Sequence, residues 1–286
     1  MADDLPAPSL AELRAQLDRV DDAIHDLLMQ RAGIVGQVAQ LAARGKVAFR
    51  PGREADIIRR LLARHQGALP RRVLPRMWRE LFAATISMQG PLTIAVCETE
   101  PGGGFVACAR EHFGALTPLR PHGSPVRALA EVSAGTATAA VLPLPQEDEP
   151  AAAAWWTRLL RHDQPRLHVV ARLPFWAPRS EGAPQVQALV VCAAPPDASS
   201  RDRTLLGFDL PAEMSRARFS AACTAAGLSP AAMILRRDAS ALTAQGLVEV
   251  DGFIAEDDPA LAVLAESVAR PLVLGAYAVP IEGETT

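Results

Sequence analysis

The sequence predicts a multidomain chain: an all-α three-helix domain over residues 1–90, an α/β region over 91–180 and an α+β domain over 185–286. Three observations carry this. Apolar residues recur at helical spacing from Leu13 to Leu41, and no proline interrupts positions 9–50. After Pro91 the texture changes to short β-branched runs alternating with helical segments. Beyond residue 187, strand-like runs outnumber helices. A length of 286 residues fits two or three domains of roughly 100–200 residues each.

The first helix opens at Ser9, with Glu12 three residues on, a capping-box pattern. Its apolar stripe runs through Leu13, Leu17, Val20, Ile24, Leu27, Leu28, Ile34, Val35, Val38 and Leu41, with Gly33 and Gly36 its weak points. A helix of about 35 residues is about 50 Å long. It cannot bury such a stripe within a small domain and needs a partner. Gly45 and the run Arg50-Pro51-Gly52 end it. A second helix is expected from Arg53 to His65 and a third from Leu74 to Gln89, stopped by Gly90-Pro91. Three helices of such unequal length suit an intertwined homodimer better than a monomer.

Past Pro91 the expected order is a strand (Leu92–Cys97), a turn (Gly102-Gly103-Gly104), helices at Val106–Phe113 and Val126–Ser133, a strand (Thr138–Leu144), a helix (Trp155–Arg161) and a strand (Leu167–Leu173). Pro174–Pro184 reads as a linker. Strands follow at Ala188–Cys192, Thr204–Asp209, Ala232–Arg236, Leu247–Ile254 and Val273–Ala278, with helices at Ala217–Gly227 and Pro259–Ala269. This βαββαβ-like order suits a small open-faced sandwich.

Composition excludes several classes. Net charge is −3 with both signs interspersed, which gives no case for a nucleic-acid or membrane partner. No apolar run reaches the ~18 residues of a membrane span. The opening MADDLPAPSL lacks a basic segment followed by an apolar one, so no signal peptide is expected. The four cysteines (Cys97, Cys108, Cys192, Cys223) have no CxxC spacing and read as free thiols of a cytoplasmic protein. The six histidines show no HxxxH or HExxH spacing, so no metal is expected. The triple glycine is not followed by GK[ST], and no cofactor is expected.

The residues with chemistry to offer are Arg14, Arg31, Arg53, Glu54, Thr85 and Gln89. Arg14 lies about 100° around the helix from Arg31, so the two serve different pockets. Thr85 and Gln89, four apart, share a face of the third helix. Arginines converging with a Glu and a Gln suit a small dicarboxylate bearing an ether oxygen, because guanidinium groups grip carboxylates in bidentate fashion.

The strings LAELRAQLDRVDDAIHDLLMQRAGIVGQV, FRPGREADIIRRLL and RMWRELFAATISMQG resemble the three helices of the AroQ-class chorismate mutases. The resemblance covers about 80 residues, in order. It implies an intertwined helical dimer that rearranges chorismate to prephenate with no covalent step and no cofactor. It further implies that Arg31 and the partner subunit's Arg14 grip the two carboxylates. Glu54 and Arg53 would shape the pocket around the ring hydroxyl, Gln89 would donate to the ether oxygen, and Thr85 would fill a small-hydroxyl position. The family's lysine on the first helix is replaced by Ala42, and Lys46, four residues on, is the cation placed to reach back. Losing a preorganised cation at developing charge costs about 2.7–4 kcal/mol.

Residues 92–173 resemble the first lobe of a prephenate dehydratase, without the Thr and Ser around Phe105 or the Glu-Asn-Ser at 144–146. Residues 187–281 resemble an ACT regulatory domain. The expected reading is a chorismate mutase joined to a degenerate dehydratase/ACT-like region, as in bifunctional mutase–dehydratase chains. One alternative is a non-catalytic chorismate-binding or regulatory partner of another shikimate-pathway enzyme, which Ala42 favours. Another is an isochorismate-pyruvate lyase.

Overall fold

The computed structural model describes residues 8–41, 49–161, 163–179, 181–211, 213–237 and 243–283, apart from the side chain of Arg270. The chain divides into two compact units, residues 1–48 and 49–286.

Among the described residues the first unit holds one helix, α1 (Leu10–Leu41), of 32 residues, about 48 Å long at 1.5 Å per residue. Its start is the capping box the sequence predicts. Ser9 N and Oγ donate to Glu12 Oε2 at 2.7 and 2.9 Å, and Glu12 N donates back to Ser9 Oγ at 3.3 Å. No residue of α1 is buried, and Leu13, Leu17, Val20, Ile24, Leu27, Ile34 and Val38 all stand exposed. The helix predicted beyond Leu41, with Ala42 and Lys46, lies outside the described residues.

The second unit begins with α2 (Pro51–Arg64) and α3 (Val73–Ser87). Then come β1 (Ile94–Cys97), α4 (Phe105–Phe113), β2 (Leu119–His122), α5 (Pro125–Ser133), β3 (Ala139–Pro143), a 3-10 turn (Trp155–Leu160), β4 (His168–Leu173) and β5 (Ala188–Cys192). The chain closes with β6 (Asp202–Pro211), α6 (Arg216–Ala225), β7 (Pro230–Arg237), β8 (Thr243–Asp251), α7 (Pro259–Leu264) and β9 (Ala269–Ala278).

The nine strands form one sheet in the order β2-β1-β3-β5-β4-β9-β6-β8-β7. β1 is parallel to both its neighbours, β2 and β3. The remaining pairs are antiparallel, except where β4 meets β9 in parallel through Val169 and Gly275. That joint depends on a glycine. Gly275 has φ +145°, and a Cβ there would collide with the backbone N and O of Val169. A core of Trp155, Trp156, Leu142, Val191, Leu205 and Tyr277 runs across the joint. A second core packs α6 and α7 on β6–β8 through Phe208, Phe219, Leu261 and Leu264.

Several expectations need correction. The segment Pro174–Pro184 is not a loose linker at its start. Phe175 is buried against Ile58, Leu62 and Phe82, and its carbonyl accepts from Ile281 N at 2.7 Å. Its apolar side chain docks α2 and α3 on the sheet. β2 has no apolar alternation (LRPH) and is a partly exposed edge strand, so only its pairing with β1 defines it. Residues 155–160 are helical as expected, in 3-10 form, and both tryptophans are buried. α7 ends at Leu264, and β9 starts at Ala269 instead of Val273. β5 lies between β3 and β4, so the strand expected to open the C-terminal region completes the middle of the sheet. All four cysteines are free and buried, as the sequence predicts. No described helix is long and apolar enough to cross a membrane.

Candidate functional site

α2 starts with Pro51 at its first turn, where a missing N–H costs nothing. Its N-cap residue, Arg50, provides no side-chain cap. The cap comes instead from far along the chain: Asp197 accepts from Gly52 N at 3.0 Å (Oδ1) and from Arg53 N at 3.1 Å (Oδ2). Arg50 Nε lies 3.5 Å from the same carboxylate. A negative charge there also meets the positive end of the helix dipole. The Arg53 side chain is exposed, and with Arg50, Arg60, Asp56, Asp197 and Ser200 it borders an open groove of about 670 Å³.

Glu54, one residue on, faces inward. It is 7% exposed, and Arg79 on α3, 5% exposed, donates Nη1 to Glu54 Oε2 at 2.7 Å. The Arg79 guanidinium also lies over the rings of Phe175 and Phe82, 5.2 and 5.9 Å from their centroids. Burial lowers the pKa of Arg79 and the Glu54 charge opposes this; a guanidinium stays protonated regardless. His112 on α4 is buried against Phe113, its ring edge-on with centroids 4.8 Å apart. Burial first, and the Arg79 charge second, push its pKa well below the usual histidine range. His112 is therefore neutral.

On α3, Thr85 is buried, and its Oγ1 donates to Leu81 O and Phe82 O at 2.8 and 3.1 Å. Gln89 lies just past the helix end, half-buried, with Nε2 donating to Thr85 O at 3.1 Å. That nitrogen carries a second hydrogen to give a ligand. Arg14 is exposed and Arg31 half-buried, both on α1. Lys46 lies outside the described residues.

The structure thus brings Thr85 to Gln89, Glu54 to Arg79 and Arg53 to Asp197. Arg79 and Asp197 were missed in the sequence. Arg79 had a legible signal: it stands three and seven residues before Phe82 and Ile86, so the helical period puts a cation on the apolar face of α3. Asp197 had none, since no local pattern relates residues 145 apart. A second hollow, of about 330 Å³ between α5 and the 3-10 turn, holds none of the candidate residues.

Residues 13–90 match the family model described as chorismate mutase type II. A bifunctional chorismate mutase/prephenate dehydratase of Stutzerimonas stutzeri is 29% identical over 163 residues, covering 55% of this chain and 44% of the relative. That stretch is longer than the family match, so the likeness continues into the sheet. The enzyme of the same description from Neisseria gonorrhoeae is 34% identical over 102 residues, 35% of this chain and 27% of its own. The chain thus spans less than half the length of these relatives. A prephenate dehydratase from Arthrobacter aurescens, solved with L-Phe, overlaps 65% of this chain and 90% of its own, at 17% identity and a TM-score of 0.49.

Proposed function

With residues 13–90 a chorismate mutase type II domain, we propose that the chain rearranges chorismate to prephenate in aromatic amino-acid biosynthesis. The observation that carries this reading is the ordered set Arg14, Arg31, Glu54 and Gln89 inside the matched segment.

The rearrangement is unimolecular and pericyclic. A protein can speed it only by holding the reactive conformer and stabilising charge on the breaking ether bond. In this reading Arg31 and the partner subunit's Arg14 grip the two carboxylates. Gln89 turns its remaining Nε2 hydrogen to the ether oxygen, and Thr85 anchors that glutamine through its carbonyl. Arg53 and Glu54 shape the ring-hydroxyl side, with Arg79 holding the Glu54 carboxylate in one place. Lys46 is the cation that would stand in for the lysine lost at Ala42.

The apolar stripe of α1 supports a homodimer through that helix. An exposed stripe of this length, left in water, would be a liability to solubility. The protein acts in the cytoplasm, without metal or cofactor. Its domains are the mutase (1–90), a degenerate dehydratase-like region (91–180) and an ACT-like region (185–286).

Ala42 favours a second reading, a non-catalytic chorismate binder. Product analysis by proton NMR separates the possibilities. Chorismate mixed with purified protein should give prephenate. Isochorismate yielding salicylate and pyruvate would indicate a lyase, and unchanged chorismate would indicate a binder.

A further inference from the structure

We propose that Asp197 is a positioning residue for the α2 arm of the site, so that the chemistry of residues 13–90 depends on a loop outside that segment; this rests on the mutase reading above. α2 has no cap of its own, and the two N–H groups that Asp197 takes belong to Gly52 and to Arg53, the residue next to Glu54. Moving Asp197 therefore moves the turn that aims both candidate side chains.

The contact is built to stay closed. A Cβ on Gly52 would sit far closer to Asp197 O than van der Waals contact allows and would press on Ala198 O at 3.0 Å. Backbone on both sides cannot give, so the approach requires glycine at 52. About two turns further along α2, Arg59 reaches the same loop. It donates to Ser199 Oγ (2.9 Å), Ser200 Oγ (3.2 Å), Arg201 O (2.9 Å) and Val279 O (2.7 Å). Asp56 accepts from Ser200 N and Oγ at 2.9 and 2.6 Å. Burial works against the Asp56 charge, but the Ser200 bonds and Arg59 outweigh it and hold the carboxyl below its usual range. The loop is in turn tied to β6 by Asp202, which accepts from Ser199 N at 2.7 Å. Through Asp197, Asp56 and Arg59, α2 is thus clamped to the segment between the root of β6 and the end of β9.

An inhibitory plug is the rival interpretation, because Asp197 puts a carboxylate beside the arginines that would receive one. A plug must leave, and a loop held by Arg59, Asp56 and the Gly52 contact is not placed to do so.

The test uses the full chain, with Asp197→Ala, Asp197→Asn and Gly52→Ala. Chorismate turnover, chorismate affinity and amide exchange at Gly52 and Arg53 are read on each. The expected result is a fall in kcat of about 10- to 100-fold in Asp197→Ala. Partial recovery is expected in Asp197→Asn, which keeps one acceptor oxygen, and Gly52→Ala should match Asp197→Ala from the other side of the contact. The amides should exchange faster while the unfolding transition stays cooperative. Unchanged kcat and affinity despite faster exchange would overturn the proposal, leaving Asp197 a cap only. A rise in kcat would overturn it in favour of the plug. If the wild-type chain binds chorismate without turning it over, the mutase reading falls alone, and Asp197 is judged on the loss of affinity. A wild-type chain that does neither overturns both.

Discussion

Arg79 and Glu54 form an ion pair of 2.7 Å between α3 and α2, at a point where both side chains are almost wholly withdrawn from water. Such a pair is not a strong net stabiliser, because desolvating the two charges offsets most of their attraction. Breaking it is another matter. Arg79→Leu removes a short ion pair from the buried Glu54 carboxylate and should lower the urea midpoint. The double variant Arg79→Leu/Glu54→Leu should recover most of that loss. A single variant as stable as wild type would mean the pair does not form.

His112 predicts an acid-side loss of stability. Its folded pKa lies well below the ordinary value of 6.5. Between about pH 6.5 and that lower pKa, the unfolded chain binds a proton that the folded chain refuses. Stability should therefore fall as pH drops through this window, by at most about 1.4 kcal/mol per pH unit for one such group. His168 is shifted in the same direction, by burial and by Arg166, and adds to the slope. In His112→Leu the difference between urea midpoints at pH 7 and pH 5.5 should shrink.

Gly275 predicts where the sheet is weakest to substitution. Gly275→Ala brings a Cβ against the Val169 backbone at the one place where β4 and β9 pair, and does so at φ +145°. Strain and overpacking together should cost about 3 kcal/mol or more. Thermal unfolding measures this, and a melting temperature within a degree of wild type would argue against the parallel joint.

The four thiols should be silent in the folded protein. Burial pushes Cys97 and Cys223 up to about 11, and Cys108 and Cys192 up to about 12. With almost no thiolate at neutral pH, none should react with a disulfide reagent until urea is added, when all four should. Fast reaction of one thiol in the native state would contradict its burial.

Local order was readable where a local pattern encodes it. The Ser9–Glu12 box, the stripe of α1 and the helices at 105–113 and 125–133 are all local features of the chain. β2 did not, because an edge strand with Arg and Pro has no apolar face to announce it. Phe175 looked like part of a linker because prolines flank it, whereas its ring packs under α2 and α3. In the site, Thr85 and Gln89 were readable as four-apart neighbours. Arg79 and Asp197 act across chain separations of 25 and 145 residues, and such contacts emerge only from packing.

Residues 13–90 are proposed to rearrange chorismate. Loss of chorismate absorbance on adding the purified 286-residue chain, run beside Arg31→Ala and Ala42→Lys, measures this. Turnover is expected in the wild type, its disappearance in Arg31→Ala, and a gain of about 10²–10³ in Ala42→Lys if the missing cation limits the rate. No turnover in the wild type, or turnover indifferent to Arg31→Ala, would contradict it.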